Sequence, residues 1–273
     1  SIVSAQKRIT VRDLALKKKR GEKIVSLTAY YAYSAAIAEK YCDFLLVGDS
    51  LGMVVYGEAN TLAVSLDMMV AHTRAVVKAT QRALIVVDMP FASYEESPQQ
   101  AFKNAAYLLQ QTGCAAVKLE GGAHMQETVA FLTSRGIPVM GHVGLTPQAI
   151  NVVGGFTVQG RKAEAWEQIE KDARAIEEAG AFALVLEGVV EPLAQKIAAN
   201  MQIPVIGIGA SVACDGQILV MEDMLGCNER VPKFVRKYAC FAEEMEKAFE
   251  RYAEDIKSGS FPALEETYTF QKA

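Results

Sequence analysis

Ionisable residues stand at the C-terminal ends of successive short apolar runs. The run that closes on Val47 is followed by Gly48, Asp49 and Ser50, and the next ends Val87-Asp88-Met89-Pro90. Further along come Val117-Lys118-Leu119-Glu120-Gly121-Gly122, then Met140-Gly141-His142, then Leu184-Val185-Leu186-Glu187-Gly188. Taken singly, each residue has a structural explanation. Asp49 or Asp88 could cap a following helix. Lys118 and Glu120 alternate by two, so they share one side of a strand and could form an ion pair. His142 could be a satisfied core histidine. Glu187 follows five apolar residues, where an unpaired carboxylate is costly to bury. Such explanations on five successive runs are less economical than a single site. Carboxylates that converge without a cysteine or histidine cluster suit a hard, oxygen-seeking cation, hence Mg²⁺ rather than Zn²⁺.

The elements that must position these residues follow from the apolar pattern. Runs rich in Val, Ile and Leu cover residues 24–28, 44–48, 84–89, 115–119, 138–142, 182–186, 204–208 and 217–221. They lack polar alternation, as strands buried on both faces of a parallel sheet do. Amphipathic stretches lie between them. Residues 98–111 place Ala101, Ala105, Leu108 and Leu109 on one stripe, and residues 163–179 do the same with Ala165, Ile169, Ala173 and Ile176. Gly113, Gly136 and Gly180 stand where left-handed helix caps are expected. Eight strand–helix units in about 250 residues predict an α/β fold, a single-domain (β/α)₈ TIM barrel. The domain is expected to span 1–273, with a short N-terminal helical extension and a C-terminal tail. An open doubly wound sheet competes, but no G-x-G-x-x-G follows the first run. In a barrel, the residues singled out above share the mouth that carries the chemistry.

Composition narrows the partners. The chain has 273 residues, 51% apolar and 22% charged, and 28 basic against 32 acidic side chains leave a net charge of −4. That balance argues against nucleic acid, whose binding relies on a basic face. The longest apolar stretches, 83–87 and 182–186, fall far short of the roughly 20 residues of a membrane span. Five cysteines without a C-x-x-C pair, and three histidines without zinc-site spacing, fit a reducing compartment. The basic N-terminal stretch, with Lys17, Lys18, Lys19 and Arg20, lacks the apolar core of a secretory signal. It reads as a solvated helix with Ile9, Val11, Leu14 and Leu16 on one apolar edge. Two glycine-bearing segments are weaker signals. Gly207-Ile208-Gly209-Ala210-Ser211 is either a phosphate-binding loop or a tight turn. Gly154-Gly155 and Gly160 mark a long loop suited to a lid or an extra hairpin.

Longer motifs run through the same positions. Residues 46–53 (LVGDSLGM), 117–122 (VKLEGG), 141–148 (GHVGLTPQ) and 206–210 (IGIGA) closely resemble the ketopantoate hydroxymethyltransferase family. The likeness runs in unbroken order from about residue 9 to residue 261 and includes Val158-Gln159-Gly160-Arg161 and residues 215–220. The resemblance implies a (β/α)₈ barrel, Mg²⁺, and transfer of a one-carbon unit from 5,10-methylenetetrahydrofolate to 3-methyl-2-oxobutanoate. The product would be 2-dehydropantoate, on the way to pantothenate and coenzyme A. It carries metal binding onto Asp49, Asp88 and Glu120, substrate contacts onto Asp49, Ser50, Asp88 and Lys118, and the general base onto Glu187. His142 is expected to orient a metal-bound water or to hydrogen-bond Glu120, and Asn151 joins it as a supporting residue. Large homo-oligomers, often decamers, in the cytoplasm are likewise implied.

The chemistry gives these roles a reason. An α-keto acid presents carboxylate and keto oxygens to one cation, which stabilises the enolate left when the C3 proton departs. Lys118 offers positive charge to the keto acid, Ser50 can donate to its carboxylate, and a desolvated Glu187 is a competent base. The chain departs from the family in three places: Tyr31 follows Thr28-Ala29-Tyr30 where Asp is common, Ser211 replaces a usual Gly, and Pro262-Ala263-Leu264-Glu265-Glu266-Thr267 lacks a His. None of them removes a proposed ligand or the base. Two other functions are consistent with the fold. One is a Mg²⁺-dependent lyase or mutase acting on another α-keto acid, although no cysteine closely follows a strand end as in many such barrels. The other is a catalytically silent scaffold, which would have no need to keep so expensive a cluster of charges.

Overall fold

The structure is a computed structural model that describes residues 7–269. The chain parts into two compact units between Met221 and Glu222. The first is a closed barrel of eight parallel strands: β1 (Ile24–Thr28), β2 (Phe44–Val47), β3 (Leu84–Asp88), β4 (Ala116–Glu120), β5 (Val139–Gly144), β6 (Ala183–Glu187), β7 (Val205–Ile208) and β8 (Gly216–Leu219). Each strand pairs with the next in sequence, and β8 closes on β1.

Alternation along the strands builds two apolar layers. Leu46, Leu84, Val86, Ala116, Met140, Ala183, Val185 and Ile206 belong to one buried cluster that fills the barrel. The intervening Leu45, Ile85, Val117, Val139 and Leu184 are buried as well, beneath the surrounding helices. Strands buried on both faces need no polar alternation, hence the unbroken apolar runs. Continuing the inward series by two residues leads from Val86 to Asp88, from Ala116 to Lys118 and Glu120, from Met140 to His142, and from Val185 to Glu187. The mouth residues thus form the last layers of the core.

Helices Ala32–Ala38, Leu66–Ala79, Pro98–Thr112, Gln126–Thr133, Trp166–Glu178 and Glu191–Asn200 lie between successive strands. The Pro98–Thr112 helix starts at Ser97, whose hydroxyl accepts the Gln100 N–H, and ends at Gly113 with φ 75°. The β7–β8 connection carries no helix.

The N-terminal helix, Val11–Lys19, is capped by a reciprocal Thr10–Asp13 pair. It is more than the solvated extension expected from its charge. Leu14 is fully buried in the barrel cluster, and Ile9 and Val11 pack against it. Lys17 meets the buried Asp43 at 2.8 Å, and Lys18 meets Asp215 at 2.7 Å. Leu16, expected on the apolar edge, remains largely exposed.

After β5, the glycine-marked loop forms a helix over Ile150–Val153 and a single parallel bridge between Gln159 and Val189 rather than a hairpin. In the second unit, the segment expected as a tail contains an 18-residue helix, Phe241–Ser258, that ends at Gly259 with φ 75°. Among the described residues no helix is long and apolar enough to cross a membrane.

Candidate active site

Parallel register brings the charged side chains together. Asp88 on β3 is the register partner of Lys118 on β4, and their side chains form an ion pair of 2.8 Å. Glu120 on β4 is the partner of His142 on β5. One residue past the end of β2 lies Gly48, where an added Cβ would sit 2.9 Å from Ser50 Oγ and 3.5 Å from Asp88 Oδ2. Its missing side chain lets the backbone approach closely enough for the Asp49 N–H to donate to Asp88 Oδ2 at 2.9 Å. Ser50 Oγ shares a hydrogen bond of 2.7 Å with the Tyr30 hydroxyl.

Asp49, Asp88, Lys118, Glu120 and His142 are all buried, and Glu187 is partly open, its side chain 16% exposed. Three carboxyl groups therefore surround one ammonium group. Burial, and after it the charge of Asp88, pushes the Asp49 carboxyl up to about 7, against the pull of Lys118 and a hydrogen bond from Gln148. Burial and then the Asp49 charge raise Glu120 well above the ordinary carboxyl range. Burial alone would lower Lys118, but Asp88, Glu120 and Asp49 together hold its pKa above the usual lysine value. Burial and the Lys118 charge lower His142.

A neutral His142 has one donor and one acceptor nitrogen. Its Nδ1 lies 3.2 Å from Lys118 Nζ, and its Nε2 lies 3.1 Å from Glu187 Oε2. Because the ammonium can only donate, Nδ1 accepts, leaving the proton on Nε2, which faces Glu187 across 3.1 Å. The expected hydrogen bond between His142 and Glu120 gives way to these nearer partners, Nδ1 standing 3.5 Å from Glu120 Oε1. The ring instead links the lysine to the proposed base.

Gln148, within the motif at 141–148 but not singled out by residue chemistry, lies among the acids. Its Nε2 donates to Asp49 Oδ2 at 2.8 Å and to the Met89 carbonyl at 3.0 Å. Its main-chain N–H donates to Glu120 Oε2 at 3.0 Å, and its Oε1 accepts a short hydrogen bond from Tyr94. Tyr94 gave no signal in the sequence, since it lies beyond a strand end and only folding returns it to the mouth. Asn151 stands apart, exposed on the short helix after β5. The loop after β7 is occupied by side chains from neighbouring elements, Glu191 of the helix before β7 and Gln217 of β8. Ser211 Oγ donates to Glu191 at 2.8 Å, and the Ser211 carbonyl accepts from Gln217 at 2.8 Å. A carboxylate in that position disfavours the phosphate-loop alternative.

The donor set suits a hard divalent cation. It consists of oxygens and carries more negative charge than Lys118 can balance, and burial together with that surplus holds Asp49 up at about 7. Among the described residues, no three His, Cys, Asp or Glu side chains stand ready to enclose an ion by themselves.

Comparison with known proteins places the chain in a family. Residues 8–264 match the family model described as ketopantoate hydroxymethyltransferase. A protein of Bartonella henselae, named 3-methyl-2-oxobutanoate hydroxymethyltransferase, is 62% identical over 272 residues, covering 100% of this chain and 98% of its own. One of the same name from Parvibaculum lavamentivorans is 58% identical over 273 residues, covering 100% and 99%. Among solved structures, a phosphonopyruvate hydrolase complexed with oxalate and Mg²⁺ superposes with a TM-score of 0.61 at 13% identity, covering 94% of this chain and 93% of its own. A 2,3-dimethylmalate lyase gives 0.60 at 16% identity, covering 95% and 91%. At that identity the two structures share the fold alone.

Proposed function

Because the chain belongs to the ketopantoate hydroxymethyltransferase family, we propose that it transfers a hydroxymethyl group from 5,10-methylenetetrahydrofolate to 3-methyl-2-oxobutanoate. The product, 2-dehydropantoate, leads to pantothenate and coenzyme A. The observation that carries the reading is the arrangement of the mouth: three buried carboxyls around Lys118, with Glu187 held on the far side of His142.

Asp49, Asp88 and Glu120 would hold Mg²⁺, the first two as direct ligands. Bound there, the ion would draw electron density from the keto oxygen and make the C3 proton more acidic. Lys118 supplies fixed positive charge for the substrate carboxylate, and Asp88 keeps that ammonium in place at 2.8 Å. Ser50, aligned by Tyr30, can donate to the same carboxylate. His142 Nε2 stands 3.1 Å from Glu187 Oε2 and steadies the carboxylate that would accept the C3 proton. The carbanion then bonds to the methylene carbon, whose two C–N bonds to the folate break in turn; water supplies the hydroxyl and one proton, the C3 proton is the other, and tetrahydrofolate leaves.

Proton NMR of 3-methyl-2-oxobutanoate in D₂O, with Mg²⁺ and no folate, tests the reading. The C3–H signal should disappear only when metal and protein are both present. Absence of exchange, followed by no 2-dehydropantoate once the folate donor is added, would overturn it. Such a result would favour a lyase or mutase using the same barrel.

The proposal extends to a cytoplasmic homo-oligomer, with a decamer favoured. None of the five cysteines is paired, as a reducing compartment requires. The helix Phe241–Ser258 exposes Phe241, Met245, Phe249, Tyr252 and Ile256 along one stripe, which supports association.

A further inference from the structure

We propose that Gln148, braced by Tyr94, is a positioning residue that orients the Asp49 and Glu120 carboxyls for the metal. The inference rests on the metal reading of the acid cluster and assigns it a second layer.

The amide can face only one way. Nε2 points at two acceptors, a carboxylate oxygen of Asp49 and the Met89 carbonyl, and each takes one of its two N–H groups. Oε1 points at the Tyr94 hydroxyl, whose proton it accepts. Tyr94 in turn accepts the Glu120 main-chain N–H at 3.2 Å. Gln148 closes the ring with its own main-chain N–H on Glu120 Oε2. One residue on the loop after β5 therefore touches two acids that follow or end other strands, β2 and β4. Gln148 and Tyr94 are both buried.

This geometry matters because a carboxyl group rotates readily about its last bond. With Asp49 Oδ2 tied to Gln148, the carboxylate plane is held and Oδ1 remains for a cation. A neutral amide suits the position, because it donates to a carboxylate without adding charge and accepts from a phenol without needing a proton. Glutamate here would add a fourth carboxyl to a site already over-supplied with negative charge. Methionine would fill the same space and hold nothing.

Mn²⁺, followed by EPR on the substrate-free protein, probes the site without reference to turnover. Gln148→Met should keep a near-native thermal midpoint and weaken Mn²⁺ binding roughly 10–100-fold, the usual effect of losing a partner behind a metal ligand. Tyr94→Phe, which deletes one oxygen, should weaken it in the same direction by less. The double variant should bind less weakly than the sum of the two single losses predicts, because Tyr94 acts in part through the amide. Should Gln148→Met destabilise the fold, the Tyr94→Phe result decides the question, unchanged affinity overturning the inference. Wild-type affinity in a folded Gln148→Met protein would overturn the inference and leave the metal reading intact. Failure of the wild-type protein to bind Mn²⁺ would overturn both.

Discussion

Individual residues at the mouth divide, in the proposed function, into those that hold charge and one that moves a proton. Glu187 is the least buried of the ionisable set and the one whose oxygen faces a neutral imidazole. Glu187→Gln should slow C3 exchange by about 10²–10⁴-fold, the range for loss of a general base. Keto-acid and Mg²⁺ binding, measured by calorimetry, should persist, and retained exchange would remove Glu187 from that role. Asp49 supplies the pH dependence. Its pKa, pushed from an ordinary 3.8 up to about 7, means that the folded metal-free protein keeps a proton that the unfolded chain has already lost. This contribution to stability is complete below the ordinary value and fades as pH rises toward 7. A cation needs the deprotonated form, so its effect runs the other way. At a fixed Mg²⁺ concentration, the rise in thermal midpoint should be larger at about pH 8 than at about pH 6. Equal rises would contradict the assignment of Asp49 as a ligand. The types of these residues, and their recurrence after apolar runs, were legible in the sequence. Their partners were not, because Lys118 with Asp88 and His142 with Glu187 meet across neighbouring strands.

Secondary-structure elements set those partners by register, and one glycine shows how little slack they have. Gly144 ends β5 with φ 93°, and a Cβ there would run into the Glu187 carbonyl and lie 2.6 Å from Val189 Cγ2. Gly144→Ala should cost about 1–3 kcal/mol in backbone strain alone. For a chain of this size each kcal/mol lowers the thermal midpoint by roughly 2–4 °C. C3 exchange should fall as well, since the clash displaces the strand end that carries the base; unaltered stability and exchange would show that the turn is looser than its geometry. Strand identity was readable throughout, because two apolar faces leave an unbroken apolar run, and observed ends differ from the runs by a residue or two. The N-terminal helix was read less well. Its Lys and Arg residues predict solvent contact, whereas one residue, Leu14, decides that the helix closes the barrel floor. A single buried side chain among many charges leaves almost no periodic signal.

At the scale of the whole molecule, the barrel unit holds every proposed site residue, and the second unit presents an exposed apolar helix stripe against which only Phe261 is seen to pack, at Tyr252, among the described residues. Light scattering should therefore give a mass several times that of one chain. Phe249→Glu combined with Ile256→Glu should reduce it, because two charges in an apolar contact are costly to bury. A wild-type monomer would remove the oligomer from the proposed function. By itself, the sequence determined the number and order of strands and which acids, lysine and histidine stand at their C-terminal ends. Those features are written in local periodicity and in motifs. Only the tertiary structure decided that His142 lies nearer to Glu187 than to Glu120, that Gln148 and Tyr94 stand behind the acids, and that Glu191 and Gln217 fill the loop after β7. Each of these depends on contacts between residues far apart in the chain, whose distances are fixed when the barrel closes.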